Sequence, residues 1–180
     1  FPTKKLMSQL ADLEIPTIAF VNPEASSAGS FIAISTDRIY MTPGSNIGSS
    51  AIVNGSGQEI DPVMRAKLES FFGSHVRYIA EKKGHRLEVI EAMMFLSEEE
   101  RKIGDVVVGP GELLNLNSTE ATQLLDDGPL LAKAELATLE EVLKAEGWSM
   151  DDVVTATPSG FERLAWWIAS VSGLLIMVGL

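Results

Sequence analysis

Four serines and a glycine lie close together in the stretch EASSAGSFIAIS at residues 24–35, between a strand-like run and an apolar segment. A serine hydroxyl becomes a strong nucleophile only where a base takes its proton and hydrogen-bond donors stabilise the oxyanion. Ser27 falls at the predicted turn from strand to helix, where unpaired N–H groups of the first helical turn face outward. The N–H of Ala28 could therefore act as one oxyanion donor beside a Ser27 nucleophile. An ordinary capped helix start is the alternative interpretation of these hydroxyls.

The base for such a serine would have to be a histidine or a lysine. His75 and His85 have no apparent acidic partner, so both are interpreted as helix-face or surface residues. Lys67 is unusual because it lies on the apolar face of a predicted helix. That face carries, at three- and four-residue spacing, Met64, Leu68, Phe71, Phe72, Val76 and Ile79. Burial disfavours an ammonium, so a buried Lys67 would hold a neutral amine able to accept the serine proton. A Lys67 whose stem packs while its ammonium reaches water is the alternative.

The elements that carry Ser27 follow a strand, helix, strand order. The run IPTIAFV at residues 15–21 and the run DRIYMTP at residues 37–43 are predicted strands, with the helix GSFIAIS between them. This order predicts a parallel sheet and an α/β fold. Residues 44–60 are rich in Gly, Ser and Asn, and they are predicted to form a loop with at most a short extended piece. Such a loop can cover a site.

Lys67 lies on a long helix whose two ends carry clear signals. The helix is predicted over residues 61–83, with Asp61 as its N-cap and Pro62 in its first turn. Gly84 follows the last periodic residue and marks the C-terminal stop. The spacing thus predicts a helix of about six turns that presents Lys67 near its start.

Shorter elements complete the predicted domain. Residues 87–94 read as a further helix, and residues 105–117 return to strand character. Asn117 and Thr138 each precede a glutamate by three residues, which predicts two more helix starts.

The composition of the chain excludes several kinds of site. The 180 residues are 46% hydrophobic, enough for one sizeable core, and they include no cysteine. Disulfides, thiolate zinc sites and cysteine nucleophiles are therefore excluded, and no metal or cofactor is expected. The formal net charge of -11 leaves no basic stripe to neutralise phosphates, so nucleic acid is not expected as a partner.

The two ends of the sequence suggest part of a membrane protein. FPTKKLMSQLADL at the N-terminus has the pattern of a helix that begins before Phe1, so we expect the domain to be truncated there. Leu164–Leu180 is a 17-residue uncharged stretch, close to the shortest helix that crosses a bilayer, and two adjacent tryptophans could lie at the interface. A buried amphipathic helix is the alternative. The predicted organisation is a domain over residues 1–147, a linker over 148–160 and the start of a transmembrane region over 161–180.

An ordered set of segments runs through the chain. ASSAGSFIAISTDRIYMTPGSNIG is followed by Lys67 in the next long helix, by IAEKKGHR, and then by GELLNLNSTEA, LEEVLKAEGW and TPSGFERL. Together these segments resemble the NfeD-type membrane serine proteases of the ClpP/crotonase superfamily, over nearly the whole chain. The resemblance implies that Ser27, directly before an Ala-Gly pair, is the nucleophile and that Lys67, 40 residues later, is the general base. Ser26 and Ser30 then have no catalytic role. ClpP itself carries a histidine where this chain has NIGSSAIV, in agreement with a Ser-Lys dyad.

The same resemblance implies the wider organisation of the protein. It implies a spiral of ββα units, a homo-oligomer, and a multi-pass protein of the cell membrane whose protease domain is extracytoplasmic. The implied partners are a polypeptide substrate, in particular apolar segments of membrane-associated proteins, a stomatin-like (SPFH) membrane protein and the lipid bilayer. A first strand and a glycine-rich turn, which would supply the second oxyanion N–H, are expected upstream of Phe1.

Two other function classes stay open at this point. The first is a non-catalytic membrane scaffold that binds a stomatin-like partner through the same fold. The second is a crotonase-type acyl-CoA enzyme, for which the sequence offers no basic group that obviously awaits the CoA phosphates.

Overall fold

The two apolar runs that flank the serine-rich stretch form neighbouring strands of one sheet. The computed structural model of the chain describes residues 2–51 and 61–156. β1 (Ile18–Val21) lies parallel to β3 (Arg38–Met41), and β10 (Ala134–Glu135) extends the sheet on the other side of β3, also in parallel. The last three residues of β3 are buried, as expected for the central strand of a covered parallel sheet. The predicted βαβ order is confirmed, and the fold is mixed α/β.

A second sheet holds the serine-rich turn. β2 (Glu24–Ser26) lies parallel to β4 (Asn46–Gly48), and β4 pairs antiparallel with β7 (Asn115–Asn117). α2 (Ala28–Ala33) follows β2 after a single residue, Ser27, and returns the chain to the first sheet. β4 is the short extended piece that was expected inside the Gly- and Ser-rich segment.

α3 (Pro62–Lys83) begins and ends at the predicted residues. The Asp61 carboxylate accepts hydrogen bonds from the N–H groups of Val63 at 3.0 Å and Met64 at 3.1 Å. Gly84 closes the helix with a φ of 76°, a left-handed conformation that glycine adopts without strain. Both helix ends are thereby fixed by local chemistry.

The shorter predicted helices are also present. α4 (Leu87–Met94) has the predicted bounds, and α1 (Pro2–Ala11) forms near the N-terminus. Asn117 and Thr138 each cap a helix through reciprocal hydrogen bonds with the glutamate three residues later. The other helices and strands, in chain order, are β5 (Arg101–Ile103), β6 (Val106–Val108), α5 (Ser118–Ala121), β8 (Leu124–Leu125), β9 (Gly128–Pro129) and α6 (Leu139–Ala145).

The apolar stripe predicted along α3 is wrong in its N-terminal half. Phe72, Val76 and Ile79 are buried, whereas Met64 is 52% and Phe71 is 55% exposed. The 22 residues of α3 rise about 33 Å, whereas the helices that pack against it, α1 and α4, have 10 and 8 residues and rise about 15 and 12 Å. α3 therefore extends well beyond the two helices that could cover it, and periodicity alone does not reveal that limit.

The chain divides into two units, residues 1–146 and residues 147–180. In the second unit the structure describes residues 147–156, which include one 3-10 turn. Among the helices that the structure describes, none combines the length and the apolar character that a bilayer span requires. The predicted transmembrane start at residues 161–180 lies outside the described residues, as does the end of the predicted linker.

Glu146, at the C-terminal end of α6, links that helix to β3 through hydrogen bonds and an ion pair. Its carboxylate accepts hydrogen bonds from the Tyr40 hydroxyl at 2.5 Å and the Lys133 ammonium at 3.1 Å, and it pairs with Arg38. The Glu146 side chain is only 6% exposed. Burial acts to raise the pKa of Glu146, but the hydrogen bonds from Tyr40 and Lys133 and the charges of Lys133 and Arg38 hold it below its ordinary value.

Glu146→Gln is expected to lower the free energy of unfolding by about 2 kcal/mol at neutral pH, because Arg38 and Tyr40 lose an ionised acceptor. A carboxylate whose pKa is lowered by folding stabilises the protein above its unfolded-state pKa of about 4.3, and this contribution disappears as the pH falls through the native value. The difference in stability between the wild type and Glu146→Gln should therefore shrink below about pH 4. Thermal melts over this pH range measure the effect, with the exposed Glu135→Gln as the control. Equal stability at neutral pH would contradict the role given to Glu146.

Candidate active site

Ser27 forms the sharp turn between β2 and α2. Its backbone has φ 52° and ψ -119°, a region that few non-glycine residues occupy. Such a backbone costs roughly 1–3 kcal/mol and persists only where the surrounding structure enforces it. A strand, a strained turn and a helix in this order present a serine hydroxyl at the tip of the turn, as in the nucleophile elbow of α/β-hydrolases. Ser27 is exposed, and within the described residues its hydroxyl has no hydrogen-bond partner.

Two buried serines and one glycine hold this turn in place. The Ser27 N–H donates to the Gly48 carbonyl at 3.1 Å, and the Ser30 hydroxyl donates to the Ser27 carbonyl at 2.7 Å. The Ser30 hydroxyl also contacts the Ser50 hydroxyl, which donates to the Gly48 carbonyl at 3.1 Å. The serines of this region therefore have different roles, since Ser30 and Ser50 are buried and fix the backbone that presents Ser27.

Gly48 occupies a position that only glycine can fill. Its φ is 143°, and a Cβ there would lie 2.4 Å from the Leu114 carbonyl oxygen and 2.9 Å from the Cα of Asn115. The backbones of β4 and β7 therefore pack in direct contact at this point. The sequence gives no local sign of this requirement, because it arises from a strand that lies much later in the chain.

Gly48→Ala is expected to destabilise the fold by about 3 kcal/mol, since the added methyl group cannot fit without moving β4 or β7. The same movement would displace the carbonyl that accepts the Ser27 N–H. Gly44→Ala is the matched control, because Gly44 also has a positive φ, 74°, but has no atom within 4 Å of the added Cβ. Only backbone strain of about 1 kcal/mol is expected there. Denaturant unfolding compares the two variants, and a Gly48→Ala protein as stable as Gly44→Ala would contradict the close packing.

The first turn of α2 contains the candidate oxyanion donor. Ala28 is the first helical residue after Ser27, so its N–H has no carbonyl one turn earlier within the helix. Ala28 is exposed, as Ser27 is. The N–H directly after the nucleophile is the position from which serine hydrolases with this turn supply one oxyanion donor.

Lys67 is exposed on α3, which agrees with the alternative in which its ammonium reaches water and not with a Lys67 buried among apolar neighbours. It lines an open groove of about 580 Å³, whose other lining residues are Val63, Ala66, Ser70, Phe71, Ser74 and Arg77. Ser27 is not among the lining residues, and in the described part of the chain no hydrogen bond joins Ser27 to Lys67. The two helices are nevertheless in contact, because Phe31 of α2 packs edge to face on Phe72 of α3, with ring centroids 5.0 Å apart.

Both histidines have partners other than Ser27. The His75 Nε2 is 3.2 Å from the Ser8 hydroxyl of α1, and the His85 Nε2 is 2.9 Å from the Thr36 carbonyl oxygen. Burial and then the charge of Lys4 lower the pKa of His75, and burial lowers the pKa of His85. Their contacts fit the sequence interpretation that neither histidine is the base for a catalytic serine.

A second cavity, of about 270 Å³, lies beside the start of β3 and the end of α3. The basic residues Arg38, Lys83, Arg86 and Lys133 line it, and each already pairs with a carboxylate. This pairing gives no support to a phosphate-binding role of the kind that an acyl-CoA enzyme needs. Within the described residues there is also no group of three His, Asp or Glu side chains that could hold a metal ion.

Comparison with known proteins identifies relatives over most of the chain. The model of a family described as NfeD1b, N-terminal domain, matches residues 2–156. The chain is 29% identical over 161 residues to membrane protein NfeD1b of Bacillus subtilis (strain 168), covering 89% of this chain and 34% of that protein. It is 29% identical over 94 residues to the membrane-bound protease PH1510 of Pyrococcus horikoshii, covering 48% of this chain and 20% of that protein. The chain thus spans about a third or less of the length of these relatives.

Solved structures share the fold. A lysine-to-alanine mutant of the 1510-N membrane-bound stomatin-specific protease, in complex with a substrate peptide, matches with a TM-score of 0.62 at 20% identity. The match covers 93% of this chain and 76% of that one. A serine-to-alanine mutant of the same protease matches with a TM-score of 0.55 at 23% identity, over 79% and 60% of the two chains. At these identities the likeness establishes the α/β fold and nothing further.

Proposed function

This chain belongs to the NfeD1b N-terminal domain family, and from that premise we propose that it is the catalytic domain of a membrane-anchored serine endopeptidase. Ser27 is the nucleophile and Lys67 is the general base of a Ser-Lys dyad. The observation that carries the proposal is the strained and exposed backbone of Ser27 at the turn from β2 to α2. A simple helix cap does not account for it, because the Ser27 side chain makes no capping hydrogen bond.

In the proposed mechanism the neutral Lys67 amine takes the Ser27 proton as the Ser27 oxygen attacks the scissile carbonyl carbon. The Ala28 N–H stabilises the oxyanion that forms. The tetrahedral intermediate then collapses with cleavage of the C–N bond, and the Lys67 ammonium returns the proton to the leaving amine. Lys67 then takes a proton from water as the water oxygen attacks the acyl carbon, and this proton passes to the Ser27 oxygen when the ester bond breaks. A second oxyanion donor is expected from a glycine-rich turn upstream of Phe1, and turnover without it would be slower by roughly 10²- to 10³-fold.

In the proposed mechanism Ser27 and Lys67 come within hydrogen-bonding distance of each other when a substrate binds. Catalytic hydrogen bonds are often long in the free enzyme and tighten only in the substrate complex. Lys67 is exposed, and its flexible four-carbon side chain can change the position of the amine. The helix that carries it already contacts α2 through Phe31 and Phe72. A peptide lying in the groove beside Lys67 would exclude water from the amine and disfavour its charged form.

The same proposal includes the wider organisation expected from the sequence. The domain would form the ββα spiral of the ClpP/crotonase type and assemble as a homo-oligomer. The full-length protein would be a multi-pass cell-membrane protein with this domain outside the cytoplasm. The names of its relatives as membrane proteins support the association with a membrane. A stomatin-like (SPFH) protein would be the partner, with its apolar segments as substrate. The stomatin-specific protease that shares the fold supports that choice.

A non-catalytic membrane scaffold is the second candidate, and the exposed position of Lys67 without a hydrogen bond to Ser27 favours it. A cleavage assay separates the two candidates, with full-length protein and quenched fluorescent peptides that carry apolar segments of a stomatin-like protein. Cleavage that depends on Ser27 supports the peptidase. Copurification of a stomatin-like protein without cleavage of any peptide supports the scaffold.

A further inference from the structure

Ser27 has a counterpart directly after the neighbouring strand. Within the described residues, Ser27 and Ser49 are the two non-glycine residues with positive φ, at 52° and 47°. β2 and β4 are parallel, and Ser26 opposite Gly48 is the last pair of their ladder, so Ser27 and Ser49 each follow directly after that pair. The Ser27 N–H donates to the Gly48 carbonyl, which keeps the two positions next to each other. Both serines are exposed.

The backbone around Ser49 is held by neighbouring segments. The Ser49 N–H donates to the Leu114 carbonyl at 3.0 Å, and the Ser50 N–H donates to the Met93 carbonyl at 2.8 Å. A residue with a Cβ at such a φ costs roughly 1–3 kcal/mol, and glycine would avoid this strain. The serine at position 49 therefore keeps a hydroxyl where glycine would be the more stable residue, just as the proposed nucleophile does.

The placement of Ser49 suits a group that orients the base. Neighbouring strands lie about 4.8 Å apart at a paired position. Ser27 and Ser49 each follow the last pair of the ladder, so one amine could approach both hydroxyls. A neutral amine accepts a proton through its lone pair, and an acceptor for one of its N–H groups fixes the direction of that lone pair. In serine hydrolases a third group commonly orients the base in this way. Within the described residues the Ser49 hydroxyl has no other hydrogen bond.

We propose that Ser49 is a positioning residue of the active site: its hydroxyl oxygen accepts one N–H of the Lys67 amine and so directs the amine lone pair toward the Ser27 hydroxyl. This inference rests on the proposed Ser-Lys peptidase. The Ser27 proton passes to Lys67, and Ser49 keeps its own proton throughout. Ser49 acts on the rate of the chemical step and not on the binding of the substrate.

The kinetics of fluorophosphonate labelling test this role in the full-length protein, since they separate the binding constant KI from the bond-forming rate kinact. Ser49→Gly removes the hydroxyl and suits the positive φ, so it should fold at least as stably as the wild type. We expect kinact to fall roughly 10- to 100-fold while KI stays unchanged. Ser49→Asn tolerates a positive φ and offers an amide oxygen, so it should recover part of the rate. Ser26→Ala removes a neighbouring hydroxyl as the control and should label like the wild type.

The outcomes distinguish this inference from the function on which it rests. Wild-type kinact in Ser49→Gly, with labelling still lost in Ser27→Ala, would overturn the role of Ser49 and leave the peptidase standing. A rise in KI with unchanged kinact would also overturn it, because Ser49 would then act in binding. Labelling that persists in Ser27→Ala, or a wild-type protein that does not label, would overturn the peptidase and the role of Ser49 together.

Discussion

Ser27→Ala is expected to lower the peptidase rate of the full-length protein by roughly 10³-fold or more and to abolish its labelling by a fluorophosphonate. The Ser27 oxygen forms the covalent bond to the substrate in the proposed mechanism, and neither neighbouring serine can replace it. The Ser26 hydroxyl donates to Glu24, and Ser30 is buried against the backbone of the turn. Ser26→Ala is therefore the matched control and should retain full activity.

Ser27→Gly is also expected to be inactive, and unlike Ser27→Ala it should raise the stability of the protein. Glycine adopts the positive φ of this turn freely, so the variant should be more stable than the wild type by about 1 kcal/mol while it is inactive. Such a gain in stability on loss of activity is typical of a strained active site. Thermal melts and peptide cleavage, measured on the same preparations, check both parts. Cleavage by Ser27→Gly, or by a folded Ser27→Ala, would contradict the assignment of the nucleophile.

Lys67→Ala is expected to lower the peptidase rate by roughly 10²- to 10⁴-fold, the usual contribution of a general base. Its thermal stability should match the wild type, because Lys67 is exposed and has no ion pair in the described part of the chain. Lys67→Arg should be equally inactive, since a guanidinium keeps the positive charge and does not give up its proton. The pair of variants thus separates a proton acceptor from a positive charge that merely attracts substrate.

Lys82→Ala is the control for the lysine variants. Lys82 lies on the same helix, and its ammonium is 2.7 Å from the Asp12 carboxylate at the surface. This variant should cleave peptides at the wild-type rate. High activity in Lys67→Arg would contradict the role of Lys67 as the base and would leave it as a residue of the substrate groove.

The ends of the helices could be predicted from the sequence because their signals are local. Asp61 and Gly84 bound α3, and Asn117 and Thr138 form capping boxes with glutamates three residues away. Each of these features depends on hydrogen bonds within a single turn of the chain. Residues a few positions apart in the sequence therefore suffice to specify them.

The framework around Ser27 could be predicted only in part. The strand-to-helix turn is evident from residues 24–35, but the bonds that hold it come from Gly48 on another strand and from Ser50 shortly after that strand. Gly48 is required because of its contact with Leu114, which is remote in sequence. Pairings of this kind depend on strand register, which the composition of a Gly- and Ser-rich segment does not reveal.

The environment of Lys67 was the least predictable feature. Helical periodicity placed it beside Met64 and Phe71, and it does share a face with them. That face is exposed at this end of α3, because α3 is longer than α1 and α4, the helices that pack against it. Whether Lys67 meets Ser27 thus depends on a bound peptide or on closure of the site, and neither is encoded in a helix pattern.

Mapping the residue that reacts with a fluorophosphonate is the most direct test of the account. Full-length wild-type protein is labelled and digested with trypsin, and the modified peptide is sequenced by tandem mass spectrometry. Residues 6–38 form one tryptic peptide that contains Ser26, Ser27 and Ser30. A single adduct on Ser27 within this peptide is expected. An adduct on any other residue, or a fully folded protein without an adduct, would contradict it.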